Sequence, residues 1–406
     1  MATTSFIYHM FGIHGYQHHR TDYREGSAFH YIEMRDDKRR CRGCGARRHE
    51  LTMEGRFERT FRALPVGRRR QFVVLHGHEQ KCRSCGKKLR EPIRFAEGKS
   101  RYIRAFERYV ADLCRIATIK HVAAFLGVGW SLVKEIFKRY LQRKLKKLSL
   151  RRVRYIAVDE FSIHTGQQYM TVVLDLETGQ VLHTVEGRSA DDLRPFFRRL
   201  KAAHAKLRAI AMDMWPAYLL AATEELPKVP VVHDRYHIVA LANEAIDETR
   251  REICSALNKE DRKQLKGARF LLLKGGERLD DQGLSYLSRL ESLNQSLYRG
   301  YLLKEDLRRL WTMPSKRKAK RFLNSWIRRA KASELKQFVK LAKTLDRHRR
   351  GVLAYFNHRI TTGPLEGLNN KIKVLKRQAY GFRDIEYFKL RLAFIHEDTR
   401  HLRDEP

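Results

Sequence analysis

Residues 153–161 read VRYIAVDEF, residues 168–179 QYMTVVLDLETG, and residues 180–188 QVLHTVEGR. Each is a short apolar run rich in β-branched and aromatic residues, which predicts three consecutive strands, and the ETG turn predicts that the last two form a hairpin. Downstream the apolar period lengthens. DDLRPFFRRLKAAH (191–204) reads as a helix, LRAIAMD (207–213) as a buried strand, WPAYLLAATEEL (215–226) as a helix and VPVVHD (229–234) as a strand, with a further helix from Tyr236. The resulting order is βββαβαβα.

That order is the order of an RNase H-like fold, in which catalytic acids stand on the first strand, just after the fourth strand and on a late helix. The sequence has an acid at each place: Asp159 in YIAVDEF, Asp213 in AIAMDMW, and Glu366 in TTGPLEGLNNKIKVLKRQAYGFR (361–383). Glu366 is the single carboxylate in a peptide with five lysines and arginines. Three clustered carboxylates repel one another unless they hold divalent cations. Mg2+ (or Mn2+) prefers oxygen ligands, and two such ions activate an attacking hydroxyl and stabilise a leaving oxygen at a phosphodiester. On a helix Glu366, Asn370, Lys373 and Arg377 share one face, and Leu365, Leu368, Ile372 and Leu375 another, so the bases are expected to grip phosphates beside the acid. The plainer alternatives are a helix-dipole role for Glu366, a turn role for Asp159 and a helix cap for Asp213. Asp234 and His237, a D-x-x-H pair after the last strand, are expected either to support the active site or to form a cap followed by a partly buried histidine. Glu160 and Asp175 read as structural.

Bulk properties agree with a polyanionic partner. The chain has 406 residues, with 84 Lys plus Arg against 46 Asp plus Glu and a formal charge of +38. Such a field repels itself unless a polyanion is the normal partner, and nucleic acid leads. No run of about 20 apolar residues spans a bilayer, and the first 30 residues lack signal-peptide order. The expectation is a cytoplasmic, nucleoid-associated protein without membrane contact.

Four of the six cysteines form two matched doublets, Cys41/Cys44 in KRRCRGCGARR and Cys82/Cys85 in QKCRSCGKK, each followed by Gly. In a reducing compartment these predict two knuckles closing a structural Zn2+ site of four thiolates within a region of small β hairpins. His76 and His78 read as strand residues; Cys114 and Cys254 read as core. In HVAAFLGVGWSLVKEIF (121–137) the spacing of Ala123, Gly127 and Val133 fits a helix-turn-helix, with Trp130, Ser131 and Lys134 at the start of a DNA-reading helix. Nine basic residues and no acid between Lys138 and Arg154 predict a basic linker. The expected organisation is multidomain α/β: a zinc ribbon at 1–95, helix-turn-helix and linker at 96–150, the first part of the catalytic core at 151–244, an all-α insertion at 245–355 and the final core helices at 356–406.

The doublets with ALPVG between them, together with FLGVGWSLVKEI, YIAVDEFS, AMDMWPAY, HDRYHI and TGPLEGLNNKIKVLKRQAYGFR, resemble the ISL3 family of bacterial insertion-sequence transposases over nearly the whole chain. The resemblance implies a DDE transposase with Asp159, Asp213 and Glu366 as its triad and an all-α insertion before the final Glu. The expected activity is Mg2+-dependent cleavage at terminal inverted repeats and joining of the 3′-hydroxyls to target DNA, by a homodimer or higher oligomer on paired ends. The alternatives are a structure-specific RNase H-like nuclease or resolvase, and a non-catalytic DNA-binding regulator.

Overall fold

The computed structural model describes residues 5–146, 148–163, 168–259, 262, 265 and 267–396. Its described residues fall into two compact units, one within 5–146 and the other within 148–396.

The first unit opens with helix α1 (Phe6–Phe11) and a five-stranded sheet of β1 (Tyr16–Arg24), β2 (Ser27–Met34), β3 (Leu51–Arg62), β4 (Arg70–Cys82) and β5 (Lys88–Arg90). The strand order is β1-β2-β4-β3, with β5 pairing β4. The sequence predicts small hairpins here; β1–β2, β3–β4 and β4–β5 are consecutive antiparallel pairs, but β3 and β4 are 12 and 13 residues long, and β2 runs parallel to β4, joining the hairpins into one sheet. The reason is that β4 buries residues along its whole length between β2 and β3, so it pairs on both edges. The helices α2 (Arg104–Ile116), α3 (Ile119–Leu126) and α4 (Trp130–Leu145) follow. Because α4 continues to Leu145, the basic run from Lys138 starts inside a helix and only its later part is a connection.

The second unit is built on a sheet ordered β10-β9-β6-β7-β8, from β6 (Tyr155–Ser162), β7 (Tyr169–Asp175), β8 (Val181–Glu186), β9 (Ala209–Met212) and β10 (Val231–His233). The first three strands are antiparallel neighbours, while β9 and β10 add in parallel beside β6. With α5 (Ala190–Ala202), α6 (Pro216–Glu225) and α7 (Arg235–Ala256), the observed order is the βββαβαβα read from the sequence. Strand alternation then sorts the two faces. Ile156, Val158, Ile210 and Met212 join the core under α5 and α6. Ala157 and Ala211 join the opposite core, under α14 (Gly363–Gln378) and α15 (Ile385–Ala393).

Between β10 and α14 lies a helical body comprising α8 (Ala268–Leu273), α9 (Asp281–Leu293), α10 (Gln295–Arg308), α11 (Lys316–Ala332), α12 (Lys336–Arg347) and α13 (Arg349–His358). Its core begins at Ile238, so α7 enters it without a break and the expected boundary at 245 falls inside one continuous helix. Helix α13 returns to the sheet, where Ala354 packs with Ala209 and Val232. Gly351 permits that approach: a Cβ there would stand 2.3 Å from the His233 ring. Among the described residues no helix is long and apolar enough to cross a membrane.

Candidate active site

The parallel register pairs Ala157 with Ala211, and Ala211 with Val232. Continued by two residues, it places Asp159, within β6, beside Asp213 and Asp234, the residues just after the ends of β9 and β10. Parallel neighbours in register point the same way, and these positions share the parity of Ala157 and Ala211, which face α14. The three aspartates therefore form a row on the α14 side of the sheet.

Burial foremost pushes both Asp159 and Asp213 above the usual carboxylate range. The charge on Asp213 adds to the rise at Asp159, and that on Asp234 to the rise at Asp213, while the His237 ring pulls both down. Asp213 Oδ1 also accepts the Trp215 N–H at 3.0 Å, a turn ahead of α6 and not the helix cap considered from sequence, because the N-cap residue is Trp215 and it carries no side-chain cap bond. Asp234 is only 2% exposed, makes no side-chain cap for α7, and leaves Oδ2 without a hydrogen bond among the described residues. Glu160 points to the other face, yet its carboxyl is raised by burial and then by Asp213 and Asp159. Reading it as structural from the sequence overlooked that electrostatic contact.

Helix α14 is bound to both ends of this row. The Thr362 N–H donates to Asp234 Oδ1 at 3.4 Å, and Asn369 Nδ2 donates to Asp159 Oδ2 at 3.1 Å. Seven residues of helix rise about 10 Å, and two strand spacings span about 9.6 Å, so the helix runs along the row. Glu366 lies between the two tethers, exposed, one turn from Asn369. Packing holds the helix: Leu365, Leu368, Ile372 and Leu375 are at most 8% exposed, worth about 2 kcal/mol each. The two tethers to carboxylates set its rotation. Asn370, Lys373 and Arg377 are exposed as the helical phase predicts. Asn369 was missed in favour of Asn370.

The acids do not close into a tight cage. Among the described residues, the group whose donor atoms all lie within 4.8 Å of one another is Cys41, Cys44, Cys82 and Cys85. In both knuckles the first cysteine's carbonyl accepts the N–H of a left-handed glycine, Gly45 or Gly86. Cys41 Sγ lies 3.7 Å from Cys85 Sγ, and Cys44 Sγ the same distance from Cys82 Sγ. The Cys44 backbone N–H leads in lowering the Cys41 thiol to about 6, which readies it as a ligand. This donor set can hold a metal ion. His78 instead bonds Glu33 at 2.9 Å, and His76 is exposed.

In the first unit, α3 ends on left-handed Gly127, Val133 is fully buried, and α4 begins at Trp130. Trp130 is half exposed and Ser131 exposed, and the Lys134 ammonium sits 5.5 Å from the Trp130 ring centroid.

Known proteins match along this same layout. The family model described as the helix-turn-helix domain of transposase family ISL3 matches residues 91–141, and the ISL3 transposase model matches residues 156–392, more than half of the chain. The transposase for insertion sequence element IS1001 of Bordetella parapertussis is 34% identical over 87% of this chain and 88% of its own. The IS1557 transposase of Mycobacterium tuberculosis is 28% identical over 85% and 83%. A Drosophila P element transposase strand transfer complex aligns over 73% of this chain and 93% of that chain at 11% identity, with a TM-score of 0.37, too low to bear on the fold. With its helix-turn-helix, its βββαβαβα unit and a relative matched along most of both chains, the protein belongs to the ISL3 family of insertion-sequence transposases.

Proposed function

We propose that Asp159, Asp213 and Glu366 form the catalytic triad of an RNase H-like core that cleaves DNA at the terminal inverted repeats of its element and joins the freed 3′-hydroxyls to target DNA. One observation carries this reading: α14 is tied to Asp234 at one end and Asp159 at the other, with Glu366 between the ties. The strand order β10-β9-β6-β7-β8 supports the fold assignment. The residues fit divalent ions. Carboxylates raised first by burial and then by a neighbouring acid, and an unpartnered Asp234 Oδ2, favour an added cation. Mg2+ or Mn2+ held by Asp159, Asp213 and Glu366 would supply Lewis acidity to the attacking and leaving oxygens. Acids spread wider than a single-ion cage would suit two ions, one at each reacting oxygen.

The chain's own residues do the rest. Asn369 orients Asp159, Asp234 positions the start of α14, and His237 contributes a ring beside both aspartates. Asn370, Lys373 and Arg377 hold phosphates flanking the scissile bond, while Trp130, Ser131 and Lys134 contact the element ends. The cysteine quartet holds a structural Zn2+ with no open position. The helical body between β10 and α14 is an insertion that clamps DNA or a second subunit, and two paired ends require at least a dimer. The site of action is the nucleoid in the cytoplasm.

Labelled end DNA, a target plasmid and Mg2+ test this together. Wild-type protein is expected to cut and join; Asp159→Ala is expected to bind the ends normally and do neither. Cutting without joining would reassign the protein as a nuclease, and cutting by Asp159→Ala would remove the triad.

A further inference from the structure

The end of α14 carries a residue the fold does not ask for. The Gly381 N–H bonds the Lys376 carbonyl at 3.0 Å and the Tyr380 N–H bonds the Arg377 carbonyl at 3.1 Å. This is the helix-ending motif whose left-handed position usually holds glycine. The same pair of bonds ends α3, where Val128 bonds Ala123 and Gly127 bonds Ala124, and there the left-handed residue is Gly127 at φ +60°. In α14 that residue is Tyr380 at φ +52°, with Gly381 one place later. A bulky side chain in that conformation is strained. Among the described residues nothing uses the ring, which is 99% exposed.

The surroundings define what the ring meets. Lys373, Arg377 and Arg383 are exposed, and among the described residues none pairs with a carboxylate. Tyr380 stands just past the end of α14, 14 residues beyond Glu366; the helix rise puts it about 20 Å away, or about six nucleotides at duplex spacing. An aromatic face flanked by cations is a platform for an unpaired base, since the cations track the backbone and the ring stacks. We propose that Tyr380 stacks on an unpaired nucleobase in the DNA flank about six nucleotides from the phosphate addressed by Glu366. This rests on the chain acting on DNA as proposed above.

The test compares wild type, Tyr380→Gly and Tyr380→Phe on two probes, a mixed-sequence duplex and the same duplex with a single-stranded flank carrying 2-aminopurine at successive positions. Tyr380→Gly relieves the left-handed strain, so its Tm should rise by about 2 °C, which separates loss of binding from loss of fold. On the flanked probe it should bind about 5- to 100-fold more weakly and lose the binding-induced fluorescence change at one position. On full duplex it should match wild type, and Tyr380→Phe should match wild type on both. Equal affinity and fluorescence for Tyr380→Gly and wild type on the flanked probe would overturn the proposal while leaving the DNA reading intact. So would a Tyr380→Phe as weak as Tyr380→Gly, because the hydroxyl would then be the agent. Failure of wild type to bind either probe would take down both.

Discussion

Asn369 is the only side chain on α14 that the structure shows donating directly to a proposed catalytic carboxylate among the described residues. Replacing it with Ala leaves Asp159 Oδ2 without that donor, and a hydrogen bond to a charged group contributes about 1.5–3 kcal/mol. Asn369→Ala should therefore cut DNA about 10- to 100-fold more slowly while binding end DNA as wild type does, measured by single-turnover cleavage beside a gel shift. Unchanged cleavage would make the contact incidental. Asp159 and Asp213 were legible as candidates because each follows an apolar run of strand residues, although β6 continues past Asp159 to Ser162. Asn369 was not, since helical phase alone puts both Asn369 (i+3) and Asn370 (i+4) near Glu366. Which one turns toward the sheet depends on how the Leu365–Leu375 stripe seats in its core, a tertiary fact.

At the level of elements, β8 carries a pH response. Its His183 stacks on Phe196 of α5 at 4.9 Å, and burial pushes its imidazole down to about 4. The folded value lies below the unfolded one, so the neutral ring's contribution is complete above about pH 6.5 and is lost as pH falls toward 4. His183→Phe keeps the stack and removes the titration. The stability lost by wild type between pH 7.5 and pH 5, followed by urea denaturation, should shrink by about 2 kcal/mol in the variant; an identical pH dependence would refute this. The knuckles make a second prediction. Because metal binding is folding energy, about 10–16 kcal/mol in zinc-finger peptides, a strong chelator or Cys41→Ser should open the 41–90 region to protease and leave the 155–233 sheet protected. Tightly retained metal absent from purified protein, with no chelator effect, would mean four free thiols. The strands of the second unit and both doublets were readable from local pattern. The parallel β2–β4 pair and the unbroken run of α7 were not, because strand partners and helix continuity across two cores are settled by packing rather than by period.

For the whole molecule, the excess of 84 basic over 46 acidic residues sets the scale of DNA binding. Many acids are already engaged by arginines, as in Arg39 with Glu91 and Arg308 with Glu305, so the net charge reflects cations left facing solvent rather than pairs hidden inside. If six to ten phosphates are neutralised, affinity should drop by about 10³–10⁵ between 50 and 200 mM salt. Lys373→Gln and Arg377→Gln should each flatten the logarithmic slope by about one, equally for end DNA and for unrelated sequence, because phosphate contacts carry no sequence information. Trp130→Ala should instead weaken end DNA alone, since a base-edge contact contributes to discrimination and not to counterion release. Fluorescence anisotropy across a salt series on both sequences separates the two effects. A slope near zero would mean that the surplus cations do not face DNA, and the positive field would need a different polyanion to explain it.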